Sequence, residues 1–243
     1  MKFKDYFDEA YARLLSDKIA AVYDEFPAGQ FIDYVTAHIG DKAFNERQDI
    51  IVDALEKTLP PSYEKCIALF TSILGPELQH ETGMFSDGWW LWPIGRFVER
   101  NGLKNPALSL AFIEELTKRF TGEYAIRPLL AAYPSQVLET MEKWSRDENV
   151  HVRRLASEGI RLRLPWSKKI TVFIDEFEKC KGILSNLKHD KSRFVQKSVG
   201  NNLNELFKEA PEKAKEIINE WLSDNPSKET EWIIKHGMRN LKI

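Results

Sequence analysis

The chain has 243 residues, of which 43% are hydrophobic, and its formal net charge is −2. That length and apolar content are enough for a substantial core, which excludes global disorder. Only two cysteines are present, Cys66 and Cys180, which excludes a disulfide framework and favours a reducing, cytoplasmic location. The first residues lack the apolar stretch of a signal peptide, and no apolar run is long enough to span a membrane.

Helical periodicity runs along nearly the whole chain. Apolar residues recur three or four positions apart between Ile50 and Leu59, and again between Leu108 and Leu116. No segment alternates with a period of two, so the sequence predicts an all-α fold. We expect N-terminal helices over about residues 1–100. Prolines and glycines mark expected helix boundaries at Pro60-Pro61, Gly75-Pro76, Asn105-Pro106, Pro134 and Pro226.

The C-terminal half, residues 105–243, contains a weak internal repeat. An apolar anchor is followed by an aspartate, Asp147, Asp190 or Asp224, and then by apolar and basic residues. The first two aspartates are 43 residues apart and the third follows 34 later, which brackets the period of HEAT and armadillo units. We therefore predict one domain over 1–243, built from HEAT-like helix pairs stacked into a curved α-solenoid with a concave face. Each aspartate is expected to cap the second helix of its pair. The alternative is a coincidence among helical hairpins.

Positive charge is concentrated in the C-terminal part of the chain. Residues 151–243 carry a formal charge of +6, whereas the remainder carries −8. The excess is greatest between His151 and Lys169, where six basic residues accompany one acid, Glu158. A local basic strip suits a phosphate backbone, although a solvated helix face is the alternative.

Glu158 and Trp166 are the residues of this strip that could perform chemistry. A Pro-Trp step at 165–166 is expected to end the helix and project an aromatic ring. Aromatic rings attract cations, and a carboxylate can stabilise the sugar cation left when a base departs. The alternative is a Glu–Arg ion-pair network with a buried tryptophan.

Other polar and aromatic residues allow two interpretations each. The tryptophans at 89, 90 and 92 belong either to the core or to a DNA contact, and the core is favoured. The three histidines in the repeats lack metal-ligand spacing, so we interpret them as packing or phosphate contacts. Asn201 and Asn204 could bond to DNA or cap neighbouring helices. The histidines are His151, His189 and His236.

Three segments follow one another along the chain: Thr121-Gly-Glu-Tyr-Ala-Ile-Arg-Pro128, Val152-Arg-Arg-Leu-Ala-Ser-Glu-Gly159 continuing to Arg163-Leu-Pro-Trp166, and Asn201-Asn-Leu-Asn-Glu205. Together they resemble the AlkC family of HEAT-like-repeat alkylbase DNA glycosylases, in the family's order and at plausible spacing. The long second segment is the specific one. The N-terminal half is similar more loosely, through Asn45-Glu-Arg and Leu59-Pro-Pro-Ser-Tyr63.

The resemblance implies an enzyme that hydrolyses the N-glycosidic bond of cationic bases such as 3-methyladenine and 3-methylcytosine in duplex DNA. It implies a solenoid that bends DNA and needs no metal or other cofactor. Matching positions imply catalytic roles for Glu123, Glu158 and Glu205, and lesion contacts for Trp166 and Tyr124. We expect a monomer without membrane contact. The expected DNA-backbone contacts are Arg127, Arg153, Arg154, Arg161, Arg163, Lys168, Lys169, Lys197, Asn201 and Asn204.

The sequence also departs from the family pattern. Tyr124 stands where phenylalanine is usual, Leu162 where proline is expected, and Glu205 where aspartate is typical. We expect no immunoglobulin-like domain of the kind that some members carry. Two other functions therefore stay open: a non-catalytic binder of damaged or branched DNA, and a HEAT-type protein-interaction scaffold. Joint retention of Glu123, Glu158 and Trp166 favours the glycosylase.

Overall fold

The computed structural model describes residues 2–81 and 88–241, and every regular element in those ranges is helical. The predicted all-α class is confirmed, and within these ranges no helix is long and apolar enough to cross a membrane. The α-helices are α1 Glu9–Ala20, α2 Ala28–Ile39, α3 Phe44–Thr58, α4 Tyr63–Ile73, α5 Trp92–Asn101, α6 Pro106–Thr117, α7 Ile126–Ala132, α8 Pro134–Trp144, α9 Val150–Glu158, α10 Val172–Asp175, α11 Phe177–Leu187, α12 Arg193–Glu209, α13 Pro211–Ser223 and α14 Lys228–Met238.

Both periodic segments lie in the helices that they predict, α3 and α6. The expected helix boundaries are also present, but some of them are the first residues of helices rather than the last. Pro106 and Pro134 occupy the first position of α6 and α8. A proline is tolerated there because its missing N–H would have no partner within the helix.

The helices form two compact units, Met1–Pro128 and Leu129–Ile243. The expectation of one domain over 1–243 stays a prediction. In the first unit, α3 packs against α2 and α5, and α1 packs against α2 and α4. Its core is rich in aromatic side chains.

The tryptophan-rich segment contributes to that aromatic core, as the favoured interpretation predicts. Trp92 is buried, and its ring lies 4.8 Å from that of Phe44. Trp89 is half-buried, with its ring 5.4 Å from that of Phe7. Ser86 and Asp87, which precede these rings in the sequence, lie outside the described residues.

The second unit contains the predicted helix pairs as consecutive helices, α8 with α9, α11 with α12, and α13 with α14, although α13 and α14 each pack mainly against α12. Helix α12 is central to it, because α12 packs against α9, α11, α13 and α14. The three repeat aspartates lie in the turns that join the two helices of each pair. The internal repeat therefore corresponds to stacked helix pairs, and coincidence is not needed to explain it.

The prediction that these aspartates cap the second helices is wrong. Asn149 caps α9, accepting hydrogen bonds from the N–H groups of His151 and Val152 at 2.9 and 3.4 Å. Asp147 lies two residues earlier and instead accepts the N–H of Asn149 at 2.7 Å.

In the other two helix pairs, too, a residue other than the aspartate caps the second helix. Ser192 caps α12 and Ser227 caps α14. Asp190 accepts the N–H of Ser192 at 2.8 Å, whereas Asp224 forms an ion pair with Lys188 at 2.6 Å. An aspartate two residues before the cap reaches the cap's own N–H rather than the free N–H groups of the helix.

Candidate active site

The centre of the candidate active site is the carboxylate of Glu158, the last residue of α9. Its side chain is almost fully buried. Arg161 Nη1 donates to Oε1 at 2.5 Å, and Arg154 Nη2 lies 3.4 Å from the same oxygen. Ser198 Oγ, on α12, donates to the other oxygen, Oε2, at 2.6 Å.

These partners keep Glu158 ionised. Burial by itself would raise the pKa of the carboxyl, but the positive charges of Arg154 and Arg161 and the hydrogen bonds from Ser198 and Arg161 outweigh it, so the pKa lies below its ordinary value. A buried carboxylate with this environment needs no further activation to be anionic at neutral pH.

Arg161 joins Glu158 to a second carboxylate, that of Glu205 on α12. Its Nε donates to Glu205 Oε1 at 2.9 Å, and its Nη2 bonds to the same oxygen. The other oxygen, Oε2, accepts the backbone N–H of Arg163 at 3.0 Å. Burial lowers the pKa of Arg161, but the two glutamates more than reverse this and raise it above its ordinary value. One guanidinium therefore fixes two carboxylates from different helices.

A buried polar network next to Glu158 was not predicted from the sequence. Ser198 Oγ lies 3.0 Å from Ser157 Oγ, and Asn202 Nδ2 donates to the carbonyl of Ser157 at 2.8 Å. All three side chains are buried. The available signal was helical spacing, because Ser198, Asn202 and Glu205 fall on one face of α12.

Trp166 lies in the loop between α9 and α10, not at a helix end. The expectation that the Pro-Trp step ends the helix is wrong, because α9 already ends at Glu158. Trp166 has a φ of 61° and is 54% exposed. The structure therefore contains the Glu–Arg network of the alternative interpretation, but not its buried tryptophan.

A pocket of about 300 Å³ opens beside this loop. Arg161 and Glu205 line it, and so does Pro165, the residue before Trp166. Glu209 also lines the pocket. Its two carboxylate oxygens accept hydrogen bonds from Arg163 Nε at 3.0 Å and from Lys169 Nζ at 2.5 Å. The pocket thus presents one carboxylate of the pair together with several cations.

Not every residue of the predicted basic strip presents its charge to solvent. Arg153 is used in the turn between repeats, where its Nε bonds to Asp190 at 2.7 Å and its Nη1 to the carbonyl of Asp147 at 3.0 Å. Arg154 lies 4.6 Å from the ring centre of Phe194 as well as near Glu158. Lys168 is exposed. The assignment of these residues to the DNA backbone stays a prediction.

The polar residues predicted on α12 to contact DNA point in different directions. Lys197 is exposed on α12, whereas Asn204 is buried. Asn204 Nδ2 donates to the carbonyl of Gly237 at 2.8 Å, near the C-terminal end of α14. Asn201 Oδ1 accepts from Arg239 Nη2 at 3.0 Å. For Asn204 the structure shows the bond to a neighbouring helix end rather than an amide turned to solvent.

The first unit holds the other predicted site residues. Glu123 is buried and accepts a hydrogen bond from Thr121 Oγ1 at 3.1 Å. The ring of Tyr124 lies 5.4 Å from that of Trp92. Arg127 is buried; burial raises the pKa of Glu99, and the charges of Arg96 and, to a smaller extent, Arg127 lower it only partly. Their functional roles stay predictions.

The repeat histidines take part in packing and hydrogen bonds. His151 is buried with its ring 5.6 Å from that of Phe194, and His189 Nδ1 lies 2.9 Å from Ser227 Oγ. His236 stacks on Trp232 with ring centres 4.9 Å apart. Within residues 2–81 and 88–241, no three His, Cys, Asp or Glu side chains are grouped so as to hold a metal ion.

Comparison with known proteins places this geometry in a family. The profile described as DNA alkylation repair enzyme matches residues 121–241. The structure of Pseudomonas fluorescens alkylpurine DNA glycosylase AlkC, bound to DNA containing an abasic site analog, superposes with a TM-score of 0.84 at 32% identity over 98% of this chain. The chain belongs to the AlkC/AlkD-type DNA alkylation repair family.

Two further similar proteins show how far this likeness extends. The Bacillus subtilis protein YhaZ, which is uncharacterized, is 32% identical over 241 residues. AlkD2 from Streptococcus mutans matches with a TM-score of 0.55 over 89% of this chain and 97% of its own, at 20% identity, and so supports the helical-repeat fold alone. The matched region spans 98% of this chain but only 64% of the length of YhaZ and 64% of the AlkC chain.

Proposed function

We propose that this chain is a monofunctional DNA glycosylase. It hydrolyses the N-glycosidic bond of cationic N-alkylated bases, of the 3-methyladenine and 3-methylcytosine type. The observation that carries the proposal is the ionised carboxylate of Glu158 fixed by Arg161 to Glu205, inside the segment that the family profile matches. The likeness to a structure of AlkC bound to abasic-site DNA supports it.

The proposed reaction uses the positive charge that the lesion already carries. When the bond between C1′ and the base nitrogen breaks, its electron pair passes to the base, which leaves as a neutral molecule. Positive charge then develops on the sugar, where a carboxylate at a fixed position stabilises it. Water adds to C1′ and loses a proton to a carboxylate or to solvent. No acid is needed to protonate the leaving base.

Duplex DNA containing alkylated bases is the proposed partner. The chain is proposed to act as a monomer in the cytoplasm, without a metal or other cofactor. Trp166 suits a contact with the lesion, since an exposed indole ring attracts a cationic base. Glu123 and Tyr124 in the first unit are proposed to contribute to excision and lesion contact.

The ion pairs of Glu158 and Glu205 with arginines also favour a second candidate function. In it, the protein binds damaged or branched DNA without catalysis. Arg154 and Arg161 offset the negative charge of the two glutamates in this structure. Catalysis therefore requires that a DNA phosphate compete for one of these guanidinium groups, so that carboxylate charge becomes available to the sugar. If that exchange does not occur, the cluster would stabilise the fold and nothing more.

Incubation of the protein with methylated duplex DNA separates the two candidates. Released bases are measured by chromatography and abasic sites by alkaline strand cleavage. The proposal predicts release of 3-methyladenine and 3-methylcytosine, and no release of neutral bases from an unmethylated duplex. Binding to the duplex without release of any methylated base would leave only the second candidate.

A further inference from the structure

Helices α12 and α14 together form a basic surface that does not include the Glu158, Arg161 and Glu205 side chains, and of its members only Lys197 is among the DNA contacts expected from the sequence. Arg193 and Lys197 follow one another at helical spacing on α12, and Trp232 and His236 do so on α14. Arg193 Cζ lies 3.8 Å from the ring centre of Trp232, which stacks on His236. We call the surface formed by Arg193, Lys197, Trp232, His236 and Arg239 the α12–α14 patch.

The cations of the α12–α14 patch have no carboxylate partners among the residues that the structure describes. In residues 2–81 and 88–241, neither Arg193, Lys197 nor Arg239 forms an ion pair, whereas Arg161 and Lys169 in the basic strip bond to glutamates. An unpaired cluster of cations produces a stronger positive potential than one whose charge is offset internally. The α12–α14 patch is therefore better suited to an external anion than much of the strip.

Close packing holds the two helices of the patch in place. A Cβ at Gly200 would lie 2.7 Å from His236 Cδ2, and one at Gly237 would lie 2.7 Å from Leu203 Cβ, so only glycine fits at either contact. Asn201 Oδ1 lies 3.2 Å from His236 Nε2 and also accepts from Arg239. The cations thus project from a backbone arrangement that is already fixed, which reduces the entropy lost on binding.

We propose that the α12–α14 patch binds backbone phosphates of duplex DNA, with Arg193, Lys197 and Arg239 as the contacting cations. Phosphate contacts position a protein on the duplex without reading its sequence. The choice of DNA as the anion rests on the proposed function. The patch lies entirely within the second unit, on helices α12 and α14.

His236 gives this proposal a dependence on pH. Burial, followed by the charges of Arg239 on one side and Lys197 and Arg193 on α12, lowers the pKa of its imidazole below the ordinary value. A phosphate among these cations would reverse that influence and raise the pKa, so the complex takes up a proton. DNA affinity should then increase as the pH falls from about 8 to about 6, by up to roughly tenfold for each unit by which the pKa rises.

The test compares two triple variants that remove the same amount of charge. One carries Arg193→Gln, Lys197→Gln and Arg239→Gln in the patch. The control carries three substitutions of exposed lysines on the first helices of the pairs, Lys143→Gln, Lys179→Gln and Lys215→Gln. Affinity for an unmodified duplex is measured by fluorescence anisotropy at several salt concentrations and pH values, and thermal unfolding confirms that both variants are folded.

The patch variant is expected to bind roughly tenfold or more weakly at low salt. Its plot of log affinity against log salt should lose about 0.9 of slope for each phosphate contact removed. The control should bind within about twofold of wild type, because loss of net charge alone is a weak effect. His236→Gln should remove the gain in affinity at low pH. Equal affinities and slopes for the patch and control variants would overturn the proposal.

This outcome is independent of catalysis. If the wild-type protein releases methylated bases but the patch variant binds as the control does, the phosphate site is wrong and the glycosylase proposal stands. If the patch governs binding to the duplex but no base is released, the phosphate site stands and the glycosylase proposal fails.

Discussion

Trp166 combines two unusual properties for a large aromatic residue, a positive φ and an exposed ring. A non-glycine residue at a φ of 61° is strained, and such strain tends to persist where a side chain is needed in a particular place. The sequence motif identifies Trp166 as a candidate, but its backbone conformation is set by the loop between α9 and α10 and could not be predicted.

Substitution of Trp166 tests whether the ring serves binding rather than folding. Trp166→Gly should be more stable than Trp166→Ala by about 1 kcal/mol, because glycine adopts a positive φ without a Cβ clash. Both variants should lose affinity for DNA containing a cationic base more than for the unmodified duplex. Urea unfolding and anisotropy measure the two effects, and equal losses for both duplexes would exclude a lesion contact.

Glu158 links the candidate site to stability at acid pH. Its pKa is below the ordinary value, so its ion pairs contribute fully above about pH 4.3 and are lost as the pH falls through the lowered pKa. The urea midpoint of the wild-type protein should therefore fall more steeply between about pH 5 and pH 3 than that of Glu158→Gln. Parallel profiles would show that the arginines do not hold Glu158 ionised.

At the scale of single elements, α12 explains both what the sequence revealed and what it concealed. One of its faces carries Ser198, Asn202 and Glu205 toward α9 and the loop after it, and another carries Asn201 and Asn204 toward α14. The helix and its polar character were predictable from periodicity. Which partner each face meets was not, because Glu205 and Arg161 are 44 residues apart and their contact depends on helix packing.

Ser198 is a positioning residue for Glu158 in this account. Ser198→Ala removes the hydrogen bond to Glu158 Oε2, which should raise the pKa of that carboxyl and destabilise the fold by about 1 kcal/mol. The acid limb of the stability profile should move to higher pH, and Ser198→Thr should restore it partly. A merely structural role would lower stability equally at every pH.

The contact between α12 and α14 allows a test with an internal control. Alanine at position 237 gains helix propensity, but its Cβ would lie 2.7 Å from Leu203 Cβ, so Gly237→Ala should destabilise the protein by about 1–3 kcal/mol. Gly182 on α11 has nothing within 4 Å of the same atom. Gly182→Ala should therefore stabilise it by about 0.5–1 kcal/mol. Changes of the same sign in thermal unfolding would contradict the packing described for α12 and α14.

At the scale of the whole molecule, the net charge of −2 conceals an uneven distribution of charge, which is visible in the sequence. The positive excess lies in residues 151–243, within the second unit, and the matched family profile ends in the same region. The location of the usable charge was less predictable. Arg153 and Arg161 have acidic partners from the α11–α12 pair, Asp190 in its turn and Glu205 on α12, whereas Arg193 and Arg239 have none among the described residues.

The central claim is that the Glu158 carboxylate promotes excision, and a single-turnover comparison of two glutamate variants tests it most directly. Glu229 on α14 is the matched control. Its side chain is also buried, and it forms an ion pair with Lys191 at 3.1 Å. Loss of Glu158 from its buried ion pairs costs about 3 kcal/mol or more, whereas the pair of Glu229 with the exposed Lys191 contributes less, so both variants are assayed at a temperature where unfolding curves show them folded.

The measured quantity is the rate constant for release of 3-methyladenine from duplex DNA at saturating protein. Glu158→Gln is predicted to lower it by about a hundredfold or more, the scale on which one preorganised electrostatic group acts, whereas Glu229→Gln should stay within about twofold of wild type. Release by folded Glu158→Gln at the wild-type rate would contradict the claim and leave Glu158 as a structural ion-pair partner.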